Sequence, residues 1–245
     1  IMLKDFIDNQ RVEARAVVGF WPANTNDRDE IEIYTDETRS EVLTRVPTLR
    51  QQKKKTEHPY YLSLCDYIAP ADSGVEDYIC GFADTAGIGL EKVVAEHKAN
   101  QDDYSEILAK VLADRLAEAF AEHLHELVRK ELWGYAPDED LSKEELLHIR
   151  YRGIRPAPGY PPCPDHTEKQ IMWDLLKADE QIGVHLTESC MMMPPASVSA
   201  FCYAHPDSKY FSVGKVAKDQ VEDYAARKGT SVDETERWLR SVLAY

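Results

Sequence analysis

From Tyr104 to Trp133 the apolar residues Ile107, Leu108, Val111, Leu112, Leu116, Ala119, Phe120, Leu124 and Leu127 recur three or four positions apart. A period of about 3.6 residues gathers such positions on one face, so the spacing predicts a core helix over 104–133. Asp102 or Asp103 stands where a side chain caps a first turn, and Gly134 and Pro137 close the other end. Ser142 with Glu145, Asp165 with Glu168, and Ser231 with Glu234 each have the spacing in which a cap accepts an amide proton and an acid reaches back. They predict helices near 143–150, 166–178 and 232–243, and 2–9 reads as the end of another.

Between these segments the apolar runs are shorter. Residues 14–21 form one closed by Pro22, and Ile31, Ile33 and Tyr34 form another after the polar turn 24–30; the two read as a hairpin. Residues 78–83 make a third strand, with 85–89 as a flexible turn after it. Residues 186–193, 197–203 and 210–213 are separated by Pro194-Pro195 and by His205-Pro206-Asp207-Ser208. Such turns suit antiparallel neighbours rather than crossover helices. The expected class is α+β, a single domain over residues 1–245 with an antiparallel β-sheet flanked by helices.

Charge narrows the partners. Against 29 Lys and Arg stand 44 Asp and Glu, a formal charge of −15, which repels nucleic acid and anionic membrane surfaces except at a local basic patch. The basic run Lys53-Lys54-Lys55 is too short to reverse that balance. No stretch of about 18 apolar residues exists to span a bilayer, and Lys4, Asp5 and Asp8 stand where a signal peptide needs its apolar region. A cytoplasmic location is expected. The five cysteines, Cys65, Cys80, Cys163, Cys190 and Cys202, include no C-x-x-C pair. Buried, reduced thiols are expected in place of a disulfide framework or a cysteine-rich zinc site.

The candidate chemistry is sparse. His123 and His125 are two apart on the predicted helix, so they point to different faces and do not clamp a metal; no metal site is expected. Neither a G-x-S-x-G elbow nor a G-x-G-x-x-G fingerprint is present. The unusual piece runs from Arg152 to Pro164, with five prolines and two glycines in thirteen residues. It fixes the backbone out of helix and sheet and leaves carbonyls and amides without ladder partners. Within it Arg155 suits a carboxylate, and Tyr160 suits a planar ring or a cation. Taken alone, the segment reads first as a stiff connection carrying a surface arginine, and only second as a ligand loop.

Arg155-Pro-Ala-Pro-Gly-Tyr160, continued by Cys163-Pro-Asp-His-Thr-Glu-Lys169, resembles the signature of the C-terminal activation domain of cobalamin-dependent methionine synthase. The resemblance continues in order through Val18-Gly-Phe-Trp-Pro-Ala-Asn24, Leu49-Arg-Gln-Gln52, Ala113-Asp-Arg-Leu-Ala-Glu-Ala-Phe-Ala-Glu122, Leu186-Thr-Glu-Ser189, His205-Pro-Asp-Ser-Lys-Tyr210 and Asp219-Gln-Val-Glu-Asp-Tyr224. It implies a C-shaped α+β domain, built on a twisted antiparallel sheet, that binds S-adenosylmethionine and supports reductive methylation of cob(II)alamin, restoring the active enzyme. The cobalamin is implied to arrive on another domain and the electron from a flavodoxin-like donor. The family's R-x-x-x-G-Y motif falls on Arg155, Gly159 and Tyr160, with Ala157 inside it, and its aromatic contact on Tyr210 and Phe211. Relatives also use an aspartate from an earlier helical segment, which Asp5 and Asp8 do not match. The domain is therefore expected to lack that N-terminal segment.

The chemistry of the ligand fits these residues. A guanidinium suits its carboxylate, carbonyls or acidic groups its ammonium, and aromatic rings its adenine and sulfonium. Glu118 reads either as a surface partner of Arg115 or as a groove residue. No general base is expected, because methyl transfer to a corrinoid nucleophile asks mainly for positioning. Two other classes stand beside this reading: a self-contained hydrolase pairing Glu118 with a histidine, and a stand-alone S-adenosylmethionine sensor without a methyl-transfer role.

Overall fold

β1 (Glu13–Thr25) and β4 (Tyr78–Ile88) pair antiparallel along most of their lengths in the computed structural model, which describes residues 1–52 and 60–245. The Lys53-Lys54-Lys55 run lies outside the described residues. With β2 (Glu30–Tyr34), β3 (Val42–Pro47) and β7 (Ser197–Cys202) they form a five-stranded sheet in the order β3-β2-β1-β4-β7, with every neighbour antiparallel. The α+β expectation stands.

β1 runs through Pro22 instead of stopping there. The proline is the last β1 residue to pair with β4, opposite Tyr78, and Ala23 begins the pairing with β2 opposite Ile33. A residue without an N–H thus sits where the strand changes partners, a place that asks least of its ladder. β4 likewise continues through 85–88, expected as a turn, because Thr85 pairs with Arg15 of β1 and Ser197 of β7 while Ile88 reaches Glu13. Gly19 and Gly81 face each other across β1 and β4. A Cβ on Gly19 would lie 2.4 Å from the Trp21 ring, so the glycine makes room for that indole against the sheet.

Helices cover both faces. α1 (Met2–Asp8) and α2 (Leu90–Ala99) pack Phe6, Leu90 and Val93 against α3 (Asp103–Leu127), and Asp102 caps α3 by accepting from the Ser105 amide at 3.0 Å. A π-helical turn, Val128–Leu132, prolongs α3. The face expected to be buried is only partly the one that is. Ala109, Ala113, Ala117, Ala121 and Leu124 are buried, whereas Ile107, Leu108 and Val111 are exposed and Leu112, Leu116 and Phe120 lie at the boundary. Along this stripe of methyl groups Ala121 meets Phe82 and Ala200 of the sheet, while Ala109 and Ala113 meet Phe6, Leu90 and Val93 of α1 and α2, and Leu112, Leu116 and Phe120 flank those contacts.

On the opposite face the larger core joins Ile79, Ala83 and Phe201 to α5 (Glu168–Leu176), α6 (Ala178–Ile182), α7 (Lys218–Lys228) and α8 (Val232–Leu239). α4 (Lys143–Leu147) carries the capping box expected of Ser142 and Glu145, and Ser231 caps α8 by accepting from the Glu234 amide. The Asp165–Glu168 box does not form: Thr167 precedes α5, and Asp165 accepts instead from Thr167, Lys228 and Tyr224. The start of α5 is itself buried, and there the Lys228 ammonium, a full positive charge, holds the Asp165 carboxylate away from the helix end. Residues 186–193 fold not as one strand but as a small ribbon of β5 (His185–Leu186) and β6 (Met192–Met193), turning where the Cys190 amide donates to Thr187 O. Residues 210–213 form no strand; they are tied to the proline-rich loop where the Val213 amide donates to Pro161 O at 3.0 Å.

Candidate ligand-binding site

The proline-rich loop is fixed at both ends by backbone pairing. Ile154 and Tyr203 exchange two hydrogen bonds of 3.0 and 2.9 Å, which tie the loop to the end of β7. Farther along, the Gly159 amide donates to Cys163 O at 2.7 Å, the Cys163 amide to Tyr160 O at 3.0 Å, and the Cys163 thiol to Ala157 O. Gly159 adopts φ 98°, in the region that favours glycine, and a Cβ there would lie 2.1 Å from the His166 ring. The glycine therefore sets both the turn and the approach of His166.

A cleft of about 1010 Å³ opens between this loop, the C-terminal half of α3, α4, and the β6–β7 edge. Of the residues singled out from the sequence, Glu118, Arg155, Ala157, Tyr160, Tyr210 and Phe211 line it, and Gly159 shapes it from behind. Glu118 stands on the cleft side of α3. Arg155 is largely buried; its Nη2 donates to Glu122 Oε2 at 2.7 Å, and its backbone amide donates to the Tyr210 hydroxyl at 3.0 Å. Tyr210 thus holds the loop as well as the wall, and Phe211 packs edge-on against Tyr67 in the core behind it.

Several lining groups were not foreseen. Glu122 lies one helical turn beyond Glu118, and that spacing of four was the available signal. Tyr151 is clamped by the buried Arg129, whose guanidinium stacks 4.1 Å from its ring while forking onto Glu139 at 2.6 and 2.9 Å. His125 meets Tyr151 edge-on at 5.1 Å, and burial, then Arg129 and Arg155, holds its pKa well below the ordinary value. His123 is exposed, so the two histidines do lie in different environments. His166 and Lys169 also reach the cleft, with Lys169 Nζ 2.9 Å from His166 Nδ1. Burial lowers both of their pKa values. Among the described residues no group of three or more His, Cys, Asp or Glu side chains is disposed to hold a metal.

Polar atoms left without partners cluster here. Arg155 Nε, Glu122 Oε1 and Ser199 Oγ are buried and make no hydrogen bond, although all three residues line the cleft. Beneath them Asp84, on β4, leaves both carboxylate oxygens unpartnered; burial pushes its pKa up to about 8 against the pull of Arg155. Buried polar groups are normally satisfied, so unmatched donors and acceptors around one cavity mark where a polar ligand completes the set.

The family model for the vitamin B12 dependent methionine synthase activation domain matches residues 1–229. The chain belongs to that family. A solved structure of a MetH reactivation domain bound to AdoHcy, S-adenosylhomocysteine, is 53% identical, with a TM-score of 0.96 over 100% of this chain and 74% of that one. Among the described residues of this activation domain no helix is long and apolar enough to cross a membrane.

Proposed function

We propose that this activation domain binds S-adenosylmethionine in the cleft and presents its methyl group to a cobalamin carried by another domain of methionine synthase. The observation that carries the reading is Arg155: a largely buried guanidinium with an unmatched Nε, set in the wall of a wide cleft that Tyr160 and Tyr210 also line. A ligand carboxylate completes that guanidinium, and the two phenol rings offer π-faces for an adenine and a sulfonium. At about 1010 Å³ the cleft reaches the upper end of the range of roughly 300–1,000 Å³ for small-molecule sites. When bound, S-adenosylmethionine supplies an electrophilic methyl, the cobalamin supplies the nucleophile that accepts it, and a flavodoxin-like donor supplies the electron.

The chain's own part is to bind, orient and exclude water. Arg155 anchors the amino-acid end, the rigid Arg155–Tyr160 segment with Ala157 and Gly159 sets the depth of the pocket, Phe211 backs it, and Glu118 borders it. Five free, buried cysteines support a reducing, cytoplasmic setting. Calorimetric titration with S-adenosylhomocysteine tests the assignment. Removing the guanidinium from a charge-assisted pair costs roughly 2–5 kcal/mol, at least about 30-fold in affinity. Arg155→Ala is expected to lose that much while keeping its far-UV circular dichroism. Equal affinity in the two proteins would overturn the assignment.

A further inference from the structure

Glu122 and Arg155 come from segments 33 residues apart and meet at 2.7 Å in the cleft wall. Each keeps one buried atom unused: Glu122 Oε1, an acceptor, and Arg155 Nε, a donor. An α-amino acid carries its carboxylate and its ammonium on a single carbon, so a receptor for both must hold opposite charges side by side. This ion pair does so, with one free valence on each member. We propose that Glu122 is the receptor for the α-ammonium of the bound ligand, and that Glu122 and Arg155 together read the zwitterionic head group. The inference rests on the S-adenosylmethionine reading above and adds a residue and a specificity to it.

The neighbouring carboxyls are less suited. Asp84 is sealed beneath the wall, and its raised pKa keeps it largely uncharged near neutrality. Glu118, one turn earlier on α3, is exposed to water, which screens its charge. Among these three carboxyls, Glu122 combines a direct hydrogen bond with Arg155 and a desolvated oxygen left without a partner. Because Arg155 already neutralises one side of the carboxylate, the pair is tolerated without ligand, and the ammonium adds a second charge-assisted bond without requiring the first to break.

The test uses the full chain and two ligands, S-adenosylhomocysteine and its deamino analogue, in which hydrogen replaces the α-ammonium. Charge-assisted bonds of this kind correspond to about 10- to 100-fold in affinity. The wild type is expected to prefer S-adenosylhomocysteine by at least about tenfold. Glu122→Gln is expected to abolish that preference, lowering S-adenosylhomocysteine to the level of the analogue while leaving the analogue nearly unchanged. Glu122→Ala, on a helix that favours alanine, is the second variant and carries the same expectation. Equal weakening of both ligands would mean that Glu122 only props Arg155, and would overturn the proposal. So would a wild type that does not distinguish the ligands, or variants that retain the preference. Failure of the wild type to bind S-adenosylhomocysteine at all would instead remove the binding reading itself.

Discussion

Both oxygens of Asp84 are buried without a partner, and its carboxyl is held at a pKa of about 8 by burial first, with Arg155 opposing and Glu118 reinforcing. An aspartate in the unfolded chain titrates near about 3.9. Between those values the folded state binds more protons than the unfolded one, so stability falls as pH rises through this window. Replacing the carboxyl by an amide removes the titration. Asp84→Asn is therefore expected to flatten the decline between about pH 5 and 8, read as urea midpoints across that range; an unchanged slope would contradict the assignment. The sequence did carry a hint, because an aspartate inside the apolar run Tyr78–Ile88 is an expensive residue to bury. Arg155, Tyr160 and Tyr210 were legible through their motif, and Glu118 only as one of two roles. Glu122, Tyr151 and Lys169 were not read as lining groups, because their position depends on how α3 and the loop converge in space.

Helix α3 shows how a correct period can locate the buried face only in part. Large apolar side chains dominate any count of hydrophobic positions, and they drew attention to Ile107, Leu108 and Val111, which are exposed. The buried stripe Ala109, Ala113, Ala117 and Ala121 recurs every four residues, but alanine is too small to stand out. Close packing makes this face intolerant of volume. Ala117→Leu is expected to cost about 1–3 kcal/mol or more through overpacking, whereas Ile107→Ala should stay within about 0.5 kcal/mol, both measured by urea denaturation. Comparable losses in the two variants would place the core on the wrong side. Helix ends carried by local chemistry, at Asp102, Ser142 and Ser231, were legible for the same reason that they are autonomous. β3, α2 and α7 were not, and Asp165 failed as a cap because a lysine far along the chain competes for it.

At the scale of the molecule, the cleft is assembled from segments around 118–122, 143–149, 151–169, 191–199 and 210–211, and the sheet beneath it is packed on both faces. Its shape is a property of the whole fold. The thiols are distributed in the same way: Cys80 and Cys202 lie beneath α3, Cys65 and Cys163 belong to the larger core, and Cys190 sits in the turn of the β5–β6 ribbon. All five are buried, so each is hidden from a bulky reagent until its own neighbourhood opens. The chain thereby carries built-in stopwatches for regional opening. Cys163 is the informative one, since its thiol donates to Ala157 O inside the ligand loop. Labelling with a chromogenic aromatic disulfide, followed by mass spectrometry of the modified peptides, should be slow at Cys163 in the native protein and fast in denaturant. Saturating S-adenosylhomocysteine is expected to slow it further, because a ligand that binds only the closed loop makes opening rarer. An identical labelling rate with and without the ligand would show that the loop opens independently of what the cleft holds.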